Sequence, residues 1–87
     1  MEIRKGVQAG FFEKILSGEK KFEVRLANFE CKKGDTLILE EEDAKTGKLT
    51  GRILKKKITY VTKTKDLKYW PKEDVEKYWF QVMQLED

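Results

Sequence analysis

The sequence predicts a small α+β domain that is mainly β: a mixed β-barrel with one helix packed over an end and a second short helix. The chain of 87 residues is long enough for one domain, residues 1–87, with one compact core. Its patterns follow the order strand, helix, strand, strand, strand, helix, strand. Small strand-rich chains protect exposed strand edges by closing into a barrel. The alternative, a ferredoxin-like sandwich, fits the consecutive middle strands poorly.

The first strand and the first helix are predicted in the N-terminal part. Met1 to Val7 forms the strand, with apolar residues at Ile3 and Val7. Apolar residues then recur at helical spacing, and these are Phe11, Phe12, Ile15 and Leu16. We expect Ser17-Gly18 to end the helix, because glycine readily adopts the left-handed conformation found just after helices.

The second strand is predicted from about Phe22 to Ala27. Its apolar residues alternate with charged ones, as Phe22, Val24 and Leu26 against Lys21, Glu23 and Arg25. Alternate side chains of a strand point to opposite faces. We therefore expect the apolar face to enter the core, while the other face presents two cations with a carboxylate between them.

A long hairpin is predicted in the middle of the chain. We expect a loop at residues 28–34, a turn at 33–35 and a strand at 36–41. A hairpin loop at 43–48 and a return strand at 50–62 follow. In the return strand the apolar residues Leu54, Ile58 and Tyr60 share one phase of the strand alternation and so lie on one face. The charged Lys56 falls on that same face and interrupts it. A bulge near the lysines of residues 55–57 would restore the phase and redirect those side chains.

The C-terminal part is predicted to contain a short helix and the last strand. Pro71 suits the first position of a helix that continues to about Tyr78. We expect Val75 and either Tyr78 or Trp79 to be its buried side. The last strand then runs from Trp79 to Glu86.

Charge and composition narrow the class of protein. The net charge is +3, and lysine-rich segments at residues 55–57 and 63–68 lie apart from the acidic run Glu40–Asp43. Such a dipolar surface can steer an anionic ligand. Charged residues make up 40% of the chain while Asn and Gln are few, a pattern typical of thermophile proteins.

Several kinds of site and location are disfavoured. The lone Cys31 rules out an internal disulfide and a Cys-based metal cluster. The absence of His removes His-ligated zinc and the usual acid/base of neutral pH. No apolar stretch approaches the roughly 20 residues of a membrane span, and the N-terminus lacks the apolar region of a signal peptide. We expect a cytoplasmic monomer with no metal and no cofactor.

A family resemblance follows from four segments in order. They are Gly18-Glu19-Lys20-Lys21-Phe22-Glu23-Val24-Arg25, the Gly34-Asp35 turn, the apolar-to-acidic stretch Leu37 to Glu42, and Thr50-Gly51-Arg52. The sequence resembles the ASCH domain family, and more narrowly a small uncharacterised subgroup with this signature. The resemblance covers about Ile3 to Tyr60. It implies a PUA-like barrel with a cleft between barrel and helix, lined by the matching Lys, acidic and Arg positions, and a link to RNA.

Lys20, Glu23 and Arg25 are the main candidate site. Glu23 and Arg25 lie two apart on one strand and share a face, while Lys20 lies at the strand entrance. Arg25 offers a planar fork that suits a phosphate or a base edge. Glu23 is suited either to accept a hydrogen bond from a nucleobase or to hold Arg25 in place. We predict an RNA- or nucleotide-binding module; the alternative is an exposed ion pair without function.

A second set of residues is predicted to contact RNA outside this cluster. Arg52, Lys55 and Lys57 are candidates for phosphate contacts, which give affinity without reading sequence. Trp70, next to Pro71 in a charged segment, is the aromatic residue best suited to stack on an unpaired base.

The alternative function is a small hydrolase. Some ASCH relatives are amidohydrolases of an acetylated cytidine nucleoside, and others are proposed to cleave single-stranded RNA. The resemblance aligns Lys20 and Arg25 with the Lys and Arg of the amidohydrolase motif, but Glu23 stands where those enzymes have a nucleophilic Thr. A carboxylate does not replace that hydroxyl in the same mechanism. If this chain is an amidohydrolase or ribonuclease, Lys20 and Glu23 are the expected catalytic pair.

Overall fold

The computed structural model describes residues 1–77 and 79–87. The elements in chain order are β1 (Glu2–Gln8), α1 (Ala9–Leu16), β2 (Phe22–Leu26), β3 (Thr36–Glu42), β4 (Leu49–Lys63), a 3₁₀ turn (Thr64–Asp66), α2 (Lys72–Lys77) and β5 (Phe80–Glu86). This order of strands and helices is the predicted one. The predicted class, a mainly β α+β domain, is confirmed.

In the described residues the strands form one five-stranded sheet of order β1-β3-β4-β5-β2. β1 runs parallel to β3, and the other neighbours are antiparallel. The sheet curls into a half-barrel, so the predicted barrel does not close by a hydrogen-bonded ladder. Instead the Arg25 guanidinium on edge strand β2 donates a hydrogen bond to the Gly6 carbonyl oxygen on edge strand β1.

The core lies on the concave face of the sheet and under α1. Its buried side chains include Leu37 and Leu39 of β3, Ile58 of β4, and Phe12 and Ile15 of α1. Because α1 covers the core with one side only, the other predicted apolar helix residues, Phe11 and Leu16, are exposed. The helix ends as predicted, with Ser17 as its C-cap and Gly18 at a φ of +84°.

Strand β2 faces the opposite way from the prediction. Glu23 is buried, whereas Phe22, Val24 and Leu26 are exposed. Glu23 pairs in register with Met83 of β5, a core residue, so the carboxylate shares the concave face. The prediction that the apolar set enters the core is therefore wrong. Ion pairs with two cations offset the cost of burying the Glu23 carboxylate. The alternation of apolar residues alone does not predict those ion pairs.

The pairing of β4 is irregular on both sides of the lysines rather than among them, and its pairing with β3 shifts between Glu40 and Glu42. The pairing with β5 shifts between Ile58 and Tyr60. Lys56 does not break the inner phase, since its pairing with Leu37 places it on the concave face, where its ammonium pairs with the Asp87 carboxylate. The bulge instead turns Tyr60 outward, and Tyr60 is exposed.

The C-terminal helix begins one residue later than predicted. α2 begins at Lys72, directly after Pro71, and ends at Lys77. Val75 and Trp79 are both half-buried. The Lys65 ammonium lies 4.4 Å from the ring centroid of Trp79. The prediction for Tyr78 lies outside the described residues. None of the described helices has the length and apolar character needed to cross a membrane.

Candidate functional site

A cleft of about 670 Å³ separates the two edge strands of the half-barrel. β1 contributes Lys5 and Gly6 to one wall, and β2 contributes Glu23 and Arg25 to the other. Further lining comes from the start of α1, from the segments that flank β2, from the end of β3 and from Phe80 of β5. The cleft exists because the curled sheet brings its two edges together without pairing them.

The three predicted residues Lys20, Glu23 and Arg25 meet in this cleft. The Lys20 Nζ donates to Glu23 Oε1 at 3.2 Å, and the Arg25 Nε donates to Glu23 Oε2 at 2.9 Å. Only 3% of Glu23 is exposed. Each carboxylate oxygen of Glu23 thus accepts a hydrogen bond from one cationic side chain. The cluster of these three residues presents a net positive charge to the cleft.

Local structure holds the Lys20 side chain in position. The Lys20 backbone N–H donates to the Lys14 carbonyl at 2.9 Å, which fixes the chain after the end of α1. The ammonium lies 4.6 Å from the ring centroid of Phe11 and 5.4 Å from that of Phe22. Cation–π attraction adds to the ion pair, so Lys20 is a preorganised cation.

Arg25 links the two walls of the cleft. Its Nε binds Glu23, and its Nη2 donates to the Gly6 carbonyl oxygen of β1. A guanidinium offers five N–H donors in a planar fork, and these two contacts use two of them. Donors of Arg25 therefore remain for a ligand such as a phosphate or a base edge.

The cleft also contains residues that the sequence did not predict to be part of the site. The Lys5 ammonium lies 3.8 Å from the ring centroid of Phe29, and both residues line the cleft. Phe80 and Glu42 line it as well. The only local signal was Gly6, since a glycine inside a strand often marks a close approach by another group.

Arg52, predicted to bind RNA, lies outside the cleft lining. Its guanidinium pairs with Glu13 at 2.8 Å and Glu41 at 3.4 Å, and lies 4.9 Å from the ring centroid of Phe12. The hydrogen bond to Glu13 is the main cause that raises the pKa of Arg52. Arg52 thereby ties α1 to β3.

Lys55, Lys57 and Trp70 also lie away from the cleft. Lys55 pairs in register with Ile38, and Lys57 with Thr36, so both point to the convex face and are exposed. Trp70 lies in the segment before α2, exposed and edge-on to Tyr69 at 5.6 Å between ring centroids. The structure therefore divides the predicted RNA-binding residues into a cleft cluster and separate surface positions.

Cys31 and the acidic residues do not form a metal site in the part of the chain that the structure describes. Burial raises the pKa of the Cys31 thiol, and its Sγ donates to Gln81 Oε1 at 3.2 Å. Over residues 1–77 and 79–87, no group of three or more carboxylate or cysteine side chains is arranged to hold a metal ion.

Fold and cleft together define a small α+β half-barrel domain with a charged cleft between its edge strands. Residues 5–73 match the family described as "Domain of unknown function (DUF3850)", and the chain belongs to this family. Among solved structures it is similar to "Crystal structure of hypothetical protein PH0355", with a TM-score of 0.64 and 22% identity over 99% of this chain and 98% of that one. That likeness supports the fold alone. No curated protein matches the sequence.

Proposed function

We propose that the cleft binds a nucleotide, either as a free molecule or as one unit of single-stranded RNA. The observation that carries this proposal is the pair of fixed cations, Lys20 and Arg25, held on the buried Glu23 carboxylate inside a cleft of about 670 Å³. Ligand pockets typically measure roughly 300–1,000 Å³, so the cleft has room for a nucleotide.

The chemistry of the cleft suits both halves of such a ligand. Lys20 and Arg25 provide positive charge and donors for a phosphate. Phe29 and Phe80 provide apolar ring surface for a base. The resemblance to ASCH domains, which are kin to PUA RNA-binding domains, supports the same function by analogy.

The surface positions are proposed to contact RNA that extends beyond the cleft. Lys55 and Lys57 lie exposed on the convex face, and Trp70 lies exposed near α2. Phosphate contacts from such positions add salt-dependent affinity. Arg52 suits this role less well, because its guanidinium is already shared between Glu13 and Glu41.

Titration of ¹⁵N-labelled protein with short single-stranded RNA and with nucleoside monophosphates tests the proposal. We expect shifts at Lys5, Gly6 and residues 20–25, with affinity that falls as salt rises. Arg25→Ala should weaken binding about tenfold or more, since charge-assisted hydrogen bonds contribute roughly 1.5–3 kcal/mol.

The matched control is Lys55→Ala, which removes one positive charge from the convex face. It should leave the affinity for a nucleoside monophosphate within about twofold, because such a ligand does not extend beyond the cleft. Arg25→Lys keeps the charge but loses the planar fork, and covers the case in which Arg25→Ala does not fold. Equal loss of monophosphate affinity in Arg25→Ala and Lys55→Ala would show that only the overall charge matters, and would refute a site in the cleft.

Hydrolysis of a modified nucleoside or of single-stranded RNA stays the alternative prediction. Lys20 and Glu23 contact each other in the cleft, but each is engaged in an ion pair rather than aimed at an open position. Incubation with acetylated cytidine and with single-stranded RNA, followed by product analysis, tests it. Turnover that is absent, or that Lys20→Ala leaves unchanged, would remove this alternative.

A further inference from the structure

Glu42 presents an unpartnered carboxylate to the cleft. It ends β3 and lines the cleft with Lys5 and Gly6. Its two acidic neighbours are engaged, as Glu40 pairs with Arg4 at 4.0 Å and Glu41 with Arg52 at 3.4 Å. Within the part of the chain that the structure describes, Glu42 has no hydrogen bond or ion pair of its side chain.

Gly6 makes the room in which the Glu42 carboxylate lies. A Cβ atom added to Gly6 would lie 2.7 Å from Glu42 Oε2, closer than such atoms approach in proteins. Gly6 is not among the glycines with positive φ, so its backbone does not require a glycine. The missing side chain of Gly6 instead lets the Glu42 side chain of β3 lie against β1, on the face opposite the core residues Ile3 and Val7.

The two carboxylates of the cleft therefore differ in what they can offer a ligand. Both oxygens of Glu23 already accept hydrogen bonds from cations. Neither oxygen of Glu42 accepts a hydrogen bond from the residues that the structure describes, and an ionised carboxylate is purely an acceptor. A ligand group that meets Glu42 gains most if it presents two N–H donors side by side.

On the basis of the proposed nucleotide-binding function, we infer that Glu42 determines base specificity and selects guanine. Guanine presents N1–H and N2–H₂ as adjacent donors on its Watson–Crick edge, which match the two carboxylate oxygens. On the edges of uracil, cytosine and adenine each donor group has an acceptor beside it, and that acceptor repels the second oxygen of the carboxylate. Glu42 thus reads the base, whereas Glu23 holds Lys20 and Arg25 in place.

Calorimetric or NMR titration with the four nucleoside monophosphates tests this inference. The wild-type protein should bind GMP about tenfold more tightly than UMP, since a good bidentate pair contributes roughly 1–3 kcal/mol of discrimination. Glu42→Gln places an amide N–H₂ where an acceptor is needed, and should bring the two affinities to within about threefold. UMP binding should not weaken.

Gly6→Ala provides an independent test that keeps the Glu42 carboxylate. The added methyl group meets the far end of a flexible side chain, so the variant should fold and only displace the carboxylate. It should lose guanine preference as Glu42→Gln does. Glu40→Gln, which removes the same charge two residues earlier on β3, beside Arg4, should retain the preference.

The outcomes separate this inference from the function on which it rests. Failure of the wild-type protein to bind any of the four nucleotides would overturn both. Equal binding of all four, a preference for another base, or a guanine preference that persists in Glu42→Gln would overturn the role of Glu42 and leave the nucleotide site standing. If Gly6→Ala does not give a folded ¹H–¹⁵N spectrum, Glu42→Gln and Glu40→Gln decide the result.

Discussion

The buried Glu23 carboxylate is stabilised by two neighbouring side chains, those of Lys20 and Arg25. Lys20 and Arg25 occupy one oxygen each, and the Arg25 guanidinium also binds the Gly6 carbonyl on the opposite edge of the sheet. Burying a carboxylate costs several kcal/mol in lost hydration, and close partners with good geometry offset that cost. The arrangement is therefore cooperative, because removal of one member leaves charge without compensation inside the cleft.

Replacement of Glu23 by Ala is expected to destabilise the domain by about 3–5 kcal/mol, the range found when one partner of a buried ion pair is removed. Urea unfolding measures this change in free energy. Glu19→Ala, the loss of an exposed carboxylate just before Lys20, should cost no more than about 0.5 kcal/mol. A loss below about 1 kcal/mol in Glu23→Ala would contradict the description of this cluster as a buried, mutually dependent unit.

At the scale of elements, strand β2 shows how pairing of charges overrides apolar alternation. The strand lies at a sheet edge, with Val24 exposed on the convex face and Glu23 facing Met83 in the core. Periodicity of two identifies a strand and its two faces, but not which face is inside. The choice depends on partners supplied by Lys20 and by the distant Gly6.

The orientation of β2 is testable with a pair of substitutions on neighbouring strands. Val24→Thr places a hydroxyl on the exposed face and should change stability by at most about 0.5 kcal/mol. Met83→Ala removes a fully buried side chain and should cost about 2–5 kcal/mol. Thermal or urea unfolding gives both values. A large loss in Val24→Thr would indicate that the apolar face of β2 is the buried one after all.

At the scale of the whole molecule, local sequence patterns predict the helices and strands but not how the curled sheet brings its two edges together. Strand and helix order, the helix end at Gly18 and the turn at Gly34 follow from short-range rules and are present. Lys20, Glu23 and Arg25 lie within one strand and its entrance, so a short-range pattern is enough to predict that these side chains lie together. Lys5, Phe29 and Glu42 join the cleft only because the sheet curls, and long-range curvature leaves no spacing signal in the sequence.

The N-terminus and the turn before β3 provide a second long-range link. The buried Asp35 carboxylate accepts hydrogen bonds from the Lys32 backbone N–H at 3.0 Å and from the Met1 ammonium at 3.2 Å. The Asp35 backbone carbonyl in turn accepts from the Ile58 N–H of β4 at 2.9 Å. One aspartate thus joins the start of β1, the turn and the long strand.

The stability contributed by Asp35 should depend on pH in a defined direction. The Lys32 backbone hydrogen bond, followed by the N-terminal ammonium, lowers the pKa of Asp35. An unfolded aspartate titrates near pH 3.9, roughly. The contribution is therefore complete above that value and is lost as pH falls through the lowered pKa of the folded state, because the unfolded chain binds the proton first.

Asp35→Asn is accordingly expected to unfold more easily than the wild-type protein at neutral pH, and the difference should shrink as the pH is lowered below about 4. Urea unfolding at a series of pH values measures both curves. The control Asp66→Asn, at an exposed aspartate of the 3₁₀ turn, should stay within about 0.5 kcal/mol of wild type at neutral pH. A difference between Asp35→Asn and wild type that stays constant down to pH 2 would mean that the Asp35 charge does not hold the N-terminus to the turn.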